Sequence, residues 1–230
     1  MFTKESISKA KTSLAQRIRF YRDLDVSQYA ICISKGNRKI GRVMNVSLPP
    51  ILSCANCSEC QKLCYDIKAV LQYPNNVADA RARNMALLLA DRDEYFNRII
   101  AAIKRRRKNK FFRWHVAGDI TDIEYFDMMV KIARMFPDFI FWTYTKNYTV
   151  VNAWLAAHGG RDALPGNFAV MFSEWRGMPM ANPYNMPVFG VVFNGEAWPE
   201  GVHHCPGNCD ACIKAGRGCV VGETTYCAEH

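Results

Sequence analysis

No apolar run in this chain is long enough to cross a bilayer. Ile51-Leu52 and the segment from Met85 to Ala90 are its longest candidates, far short of the roughly 20 residues a spanning helix needs. Met1 to Arg22 is interrupted by charges and lacks the apolar centre of a secretory signal. Internal repeats and low-complexity tracts are missing too, which excludes solenoid and linker-dominated architectures. Acid is the scarcer charge, with 21 Asp and Glu against 30 Lys and Arg, for a net charge of +9. The first two absences imply a cytoplasmic location, where thiols stay reduced. Ten cysteines in that setting point to metal rather than to disulfides. The Asn-x-Ser/Thr triplets at Asn45, Asn56 and Asn147 then carry no glycosylation meaning.

What is present suits one domain with a small appendage, since 230 residues that are 50% hydrophobic fill a sizeable core. Residues 4–22 are helical by the spacing of Ile7, Ala10, Leu14, Ile18 and Tyr21. Tyr29 to Ser34 and Arg42 to Ser47 read as strands joined at Lys35-Gly36-Asn37, and Pro49-Pro50 stops the second. Helix is expected over 66–72 and 77–107, with a break near Pro74. Strand 111–117, helix 122–135 opened by a Thr121–Glu124 capping box, strand 139–144, helix 150–157 and strands 168–173 and 188–193 follow. Strands alternating with helices predict an α/β fold, a partial (βα) barrel or open parallel sheet. The expected organisation is an N-terminal helix and strand over 1–40, the α/β unit over 41–195 and a cysteine-rich tail over 196–230. That tail is short of apolar residues and is expected to need a metal to hold it together.

The cysteines carry the strongest signal. Cys54, Cys57, Cys60 and Cys64 follow Cys-x2-Cys-x2-Cys-x3-Cys, the spacing of a bacterial ferredoxin loop, with Tyr65 where those proteins place proline. Structural zinc pairs two Cys-x2-Cys hooks across a long spacer, and this run has none. Small or polar Ala55, Asn56, Ser58 and Glu59 let the backbone curl around a [4Fe–4S] cluster. A second set, Cys205, Cys209, Cys212 and Cys219, fits a second cluster or metal, or shares a ligand with the first. His203, His204 and Cys227 are spare candidates, and Cys32 reads as a buried apolar thiol. At the strand ends, Gly118 admits a close backbone approach and Asp119 offers a carboxylate, while His115 and Lys146 stand where they would face a ligand. The run Lys104 to Lys110 is either a solvated helix end or a phosphate-contacting patch.

Taken in order, the loop ending Cys64-Tyr65, Arg81-x-Arg83-Asn84, Trp114-His115-Val116-Ala117-Gly118-Asp119, Tyr144-Thr145-Lys146 and the terminal cysteines resemble the phage-encoded gene product 88 family across roughly 40–220. More distantly they resemble the radical S-adenosylmethionine superfamily. That resemblance implies a cluster loop after the first strand of a partial barrel, with Gly118-Asp119 on the methionine amine and His115 or Lys146 toward substrate. It also implies [4Fe–4S] and S-adenosylmethionine as cofactors, and the cytoplasm of an infected host as the location. The superfamily's Cys-x3-Cys-x2-Cys spacing leaves one iron open; here it occurs at Cys205, Cys209 and Cys212, whereas the first loop offers four thiols. Two other readings stand beside an enzyme: a closed-cluster electron-transfer or redox-sensing protein with a redox partner, and a zinc-stabilised protein binding nucleic acid through Lys104–Lys110.

Overall fold

The computed structural model describes residues 1–229. Seven helices and eight strands follow in the order α1 (Lys4–Arg22), β1 (Ile33–Ser34), β2 (Met44–Val46), α2 (Tyr65–Gln72), α3 (Asp79–Ala90), α4 (Arg92–Lys104), β3 (Phe111–Trp114), α5 (Ile123–Met135), β4 (Ile140–Thr145), α6 (Tyr148–Ala157), β5 (Phe168–Ser173), β6 (Val188–Val192), β7 (His203–His204), α7 (Cys209–Ala215) and β8 (Thr225–Ala228). No helix is long and apolar enough to cross a membrane among the described residues.

All the strands form one sheet, ordered β1-β2-β3-β4-β5-β6-β8-β7. Among the described residues, only β1 runs antiparallel to its neighbour. From β2 to β6 the spatial order follows the chain order. Right-handed crossovers in such a one-way sheet leave their helices on a single face. Strand alternation follows: Phe112, Trp114, Phe141, Phe168, Val170 and Phe172 point into the main core with Tyr125, Phe126, Met129 and Trp154 from the helices. The opposite face carries Val43, Trp142 and Met171, and here the covering layer is the C-terminal segment, through Ile213, Cys219 and Val220. The two edge strands, β1 and β7, are not paired with one another, so the sheet is open and barrel closure is absent among the described residues.

Several local expectations need correction. The expected 29–34 strand shrinks to Ile33–Ser34, behind a 3-10 turn at Val26–Gln28 that Asp25 caps through the Ser27 amide. The long helix over 77–107 is two helices, because the Asp91 carboxylate accepts from the Glu94 amide and restarts the ladder. Asp91 with Glu94 three residues on is a cap signature legible in the sequence. The cap of α5 is Asp122 rather than Thr121: its carboxylate accepts from the Tyr125 amide, while Thr121 donates its hydroxyl to Asp122. The tail contributes β7 and β8 to the sheet, which its composition did not announce, and Tyr226 lies flat where a side chain on Gly190 would collide with its ring.

A smaller cluster of Ala10, Leu14, Ile67, Val70 and Ala78 seats α1 beneath the first cysteine loop. The Phe2 amide donates to the Lys62 carbonyl at 2.8 Å, tying the two together.

Candidate metal centres

The first loop leaves β2 through Leu48 and Pro49-Pro50 and lies at the C-terminal ends of the parallel strands. Leu48 donates its amide to the Ala117 carbonyl at 3.0 Å, and Ser53 turns its hydroxyl back to the Pro49 carbonyl at 2.7 Å. Gly118 is the floor of this packing. Its φ is +82°, and a methyl group there would stand 2.6 Å from Ser53 Oγ and 2.7 Å from Leu48 Cβ. The close approach that Gly118 permits is thus made by the cysteine loop itself.

Within the loop, Cys57 lies between two of the other thiols: hydrogen bonding with Cys54 and Cys60, followed by burial, pushes the Cys57 thiol far up. Cys60 is brought down to about 7, first by its bond with Cys57 and then by the Lys146 ammonium, against the effect of burial. Cys64 sits at the N-cap of α2, pushed up to about 11 by burial, eased by the amides of Ile67 and Asp66, with Asp66 and Cys54 adding to the rise. Buried Asp66 anchors that cap through Arg81, whose Nη2 donates at 3.1 Å. Buried Asn84, from the same motif, accepts from the Cys32 amide at 2.7 Å and donates to the carbonyls of Cys32 and Ser47. The Arg81-x-Arg83-Asn84 motif therefore braces the loop and its strand.

Asp119 and Lys146 lie beside this loop; His115 does not. Asp119 Oδ1 accepts from the Thr145 hydroxyl at 2.6 Å and the Ile120 amide at 2.7 Å, and Oδ2 accepts from the Lys146 amide at 2.8 Å. Burial pushes its carboxyl up, against these three bonds. The residue joins the loops after β3 and β4. Lys146 donates Nζ to Ser173 Oγ at 2.8 Å, lies 5.5 Å from the Trp175 ring centroid, and accepts on its carbonyl from the Asn56 side chain. His115 is buried with φ at +54° and turns to the helix side, where Nε2 meets the Tyr125 hydroxyl at 3.0 Å. Burial, then the Arg113 guanidinium, hold it down to about 3, so it is a neutral core histidine.

The tail cysteines gather on the other side of the sheet. Cys212, Cys219 and Cys227 are buried. Cys212 Sγ lies 3.5 Å from His203 Nε2. Burial raises the Cys212 and Cys227 thiols to about 11, with neighbouring Cys205 adding to both. Cys219 is also pushed up by burial, against the Tyr144 and Thr225 hydroxyls beside it; the Thr225 hydroxyl itself donates to the Glu223 carbonyl at 2.7 Å. The spare candidates His203 and Cys227 thus join the four expected tail cysteines, whereas His204 stacks on Trp198.

Arg113 was not foreseen. It lies over the Tyr144 ring at 4.5 Å, its buried Nε has no hydrogen-bond partner, and its titratable neighbours are Tyr144, Tyr65, Cys209 and Cys219. It forms no ion pair with a carboxylate among the described residues. An arginine inside the apolar strand Phe-Phe-Arg-Trp was the available signal, because a cation in that position needs a counter-charge.

Among the described residues, no group of three or more His, Cys, Asp or Glu is arranged ready to hold a single metal ion. Both donor sets are nevertheless thiol-rich: Cys57 meets Cys54 and Cys60 in the loop, and Cys205 and Cys219 act on both Cys212 and Cys227 in the tail. Soft thiolate sets of this kind fit iron–sulfur or zinc chemistry and not hard-cation sites.

No curated protein and no solved structure matches the chain. The family profile described as gene product 88 matches residues 24–179. That span holds the first cysteine loop, the Arg81–Asn84 brace, the Gly118-Asp119 turn and Lys146, and it stops short of the tail cysteines. With more than half of its length matched, the chain belongs to the gene product 88 family.

Proposed function

We propose that this protein is an iron–sulfur protein with its first [4Fe–4S] cluster on the 54–64 loop and a second cluster or metal in the tail, on a sheet that resembles a partial radical S-adenosylmethionine barrel. The observation that carries the reading is the gathering of Cys54 and Cys60 on either side of Cys57, with Cys64 held in the N-cap of α2. Three thiolates are what a cluster with one open iron requires. The loop lies at the C-terminal ends of parallel strands, where one-way α/β sheets carry their chemistry. There the Lys146 ammonium faces Cys60 and offsets part of the negative charge of a thiolate set. A cluster bound here would supply single electrons at low potential. The reaction class is reductive cleavage of S-adenosylmethionine, with Lys146 on the open side of the loop.

A second reading, closed-cluster electron transfer to a redox partner, is favoured by Asp119. Its oxygens are already engaged by Thr145, Ile120 and Lys146, so an incoming amine would have to displace a bond.

Anaerobic purification with iron and sulfide analysis tests both. Brown protein with stoichiometric iron and sulfide supports a cluster; a colourless protein containing zinc overturns both readings. Perturbation of the reduced cluster's paramagnetic spectrum by S-adenosylmethionine selects the first reading, and an unchanged spectrum selects the second.

A further inference from the structure

The sequence shows one basic run, 104–110, and the fold brings a second to it. The turn between β1 and β2 carries Lys35, Arg38, Lys39 and Arg42, all exposed. Parallel pairing of Met44 with Phe112 sets this turn beside the segment entering β3, and Arg106 Nη2 donates to the Arg42 carbonyl at 3.1 Å. Lys35, Arg105 and Arg106 line the same groove, of about 680 Å³, which runs along the β1 edge.

The charge balance gives this end of the molecule its meaning. Segments 35–42 and 104–110 hold ten of the 30 cations and no acid; the other 20 cations face 21 acids, leaving −1 for the rest of the chain. The whole excess of +9 thus sits on one end of the sheet, opposite the first cysteine loop. Lys110 pairs with Asp138 at 3.0 Å, and none of the other nine forms an ion pair among the described residues. The Asp210 carboxylate packs against Gly41 within the turn. Compensation of the α4 dipole is too small a role for this patch, because that effect fades within the last helical turn. It reaches Lys104 and the Arg105 cap, but not residues 106–110 or the 35–42 turn.

We propose that the joined segments 35–42 and 104–110 form a docking face for the phosphate backbone of duplex nucleic acid. Five of the ten cations are arginines, whose planar fork matches phosphate. A membrane surface would ask for apolar anchors among the cations. The large exposed hydrophobics, including Phe20, Tyr65, Tyr73 and Trp198, all lie outside both segments. The absence of aromatics from the two segments likewise argues for duplex backbone over single strands, which bind by stacking. The contact carries no base readout, so it is sequence-independent.

Fluorescence anisotropy of a labelled random-sequence DNA duplex, titrated with the full chain over a range of salt, tests the face. Each phosphate neutralised contributes roughly −0.9 to the slope of log K against log salt, so a slope of about −4 or steeper is expected. Arg38→Gln with Lys39→Gln, and separately Arg105→Gln with Arg107→Gln, should each flatten that slope by about 2. All four side chains are exposed, and unchanged circular dichroism would show that the fold is kept. Lys9→Gln with Lys11→Gln, exposed on α1, should leave the slope unchanged. Failure to bind duplex at about 0.05 M salt overturns the proposal. So does an equal loss in the α1 variant, or capture by phosphatidylserine vesicles in preference to duplex.

Discussion

The two cysteine sets share a chemistry and differ in how much of the fold they carry. The first loop is an irregular rim whose four cysteines are all half-buried, seated on Gly118 and a few backbone bonds. The tail set is built into the sheet: Cys227 lies in β8, Cys209 and Cys212 in α7, and Cys219 packs against Trp142 and Met171. On the proposed reading, loss of a metal from the rim should therefore cost the site and spare the fold, whereas the tail cysteines double as core residues. Similar spacing in sequence thus hides two different structural duties.

The sharpest way to break this comparison is to remove one thiol from each region. Cys57→Ser should abolish the loop cluster, seen as loss of the iron assigned to it, with the urea midpoint of the apo-protein almost unmoved. Cys219→Ser should lose the tail metal and also lower apo-protein stability by about 1–3 kcal/mol, because a buried core sulfur is replaced by a hydroxyl. Equal stability losses would erase the distinction. Gly118→Ala probes the seat of the rim. A methyl 2.6 Å from Ser53 Oγ at a φ of +82° should cost about 2–4 kcal/mol, read in urea unfolding, and should empty the first site before the second.

His115 gives a pH signature belonging to the helix-side core, independent of either set. Its folded-state value is near 3, against 6.5 for the free side chain. Between those values the unfolded chain takes up a proton that the folded chain refuses. Its contribution is therefore intact above about 6.5 and is lost as pH falls toward 3. His115→Asn, which tolerates the left-handed backbone, should flatten the acid limb of the stability profile. The smallest effect expected is from Arg113→Met. Removing a cation beside Cys209 and Cys219 should move the tail's reduction midpoint more negative, on the order of tens of millivolts, with the loop's midpoint unchanged.

Much of this organisation was legible in the residues. The buried stripe of α1 was visible as Ala10, Leu14 and Ile18, and β5 as an apolar run of strand length. Both are signals of period and composition, which need no knowledge of neighbours. The loop's place after a strand was also readable, because Pro49-Pro50 marks the stop. What escaped depended on partners far away in sequence. Asp119 looks like a ligand in isolation and becomes a brace only when Thr145 and Lys146 arrive. His115 points away from the mouth because its left-handed φ swings it toward Tyr125. The tail strands were hidden because β7 and β8 are short, β8 finds its apolar partners on β6, and β7 pairs with β8.

The placement of β8 between β6 and β7 also sets an order in time. β7 has no neighbour until the chain has run past it and returned, since the Cys205 amide reaches the Tyr226 carbonyl at 2.7 Å and His203 that of Thr224 at 3.0 Å. Cys209, Cys212 and Cys219 can assemble locally, through one helix and its turn, while Cys205 waits for the strand that carries Cys227. Pulse-labelling hydrogen exchange should find the Cys205 amide protected no earlier than those of 225–228. The tail thiols thus come together in two stages, Cys209, Cys212 and Cys219 first, then Cys205 and Cys227 with the closing strand.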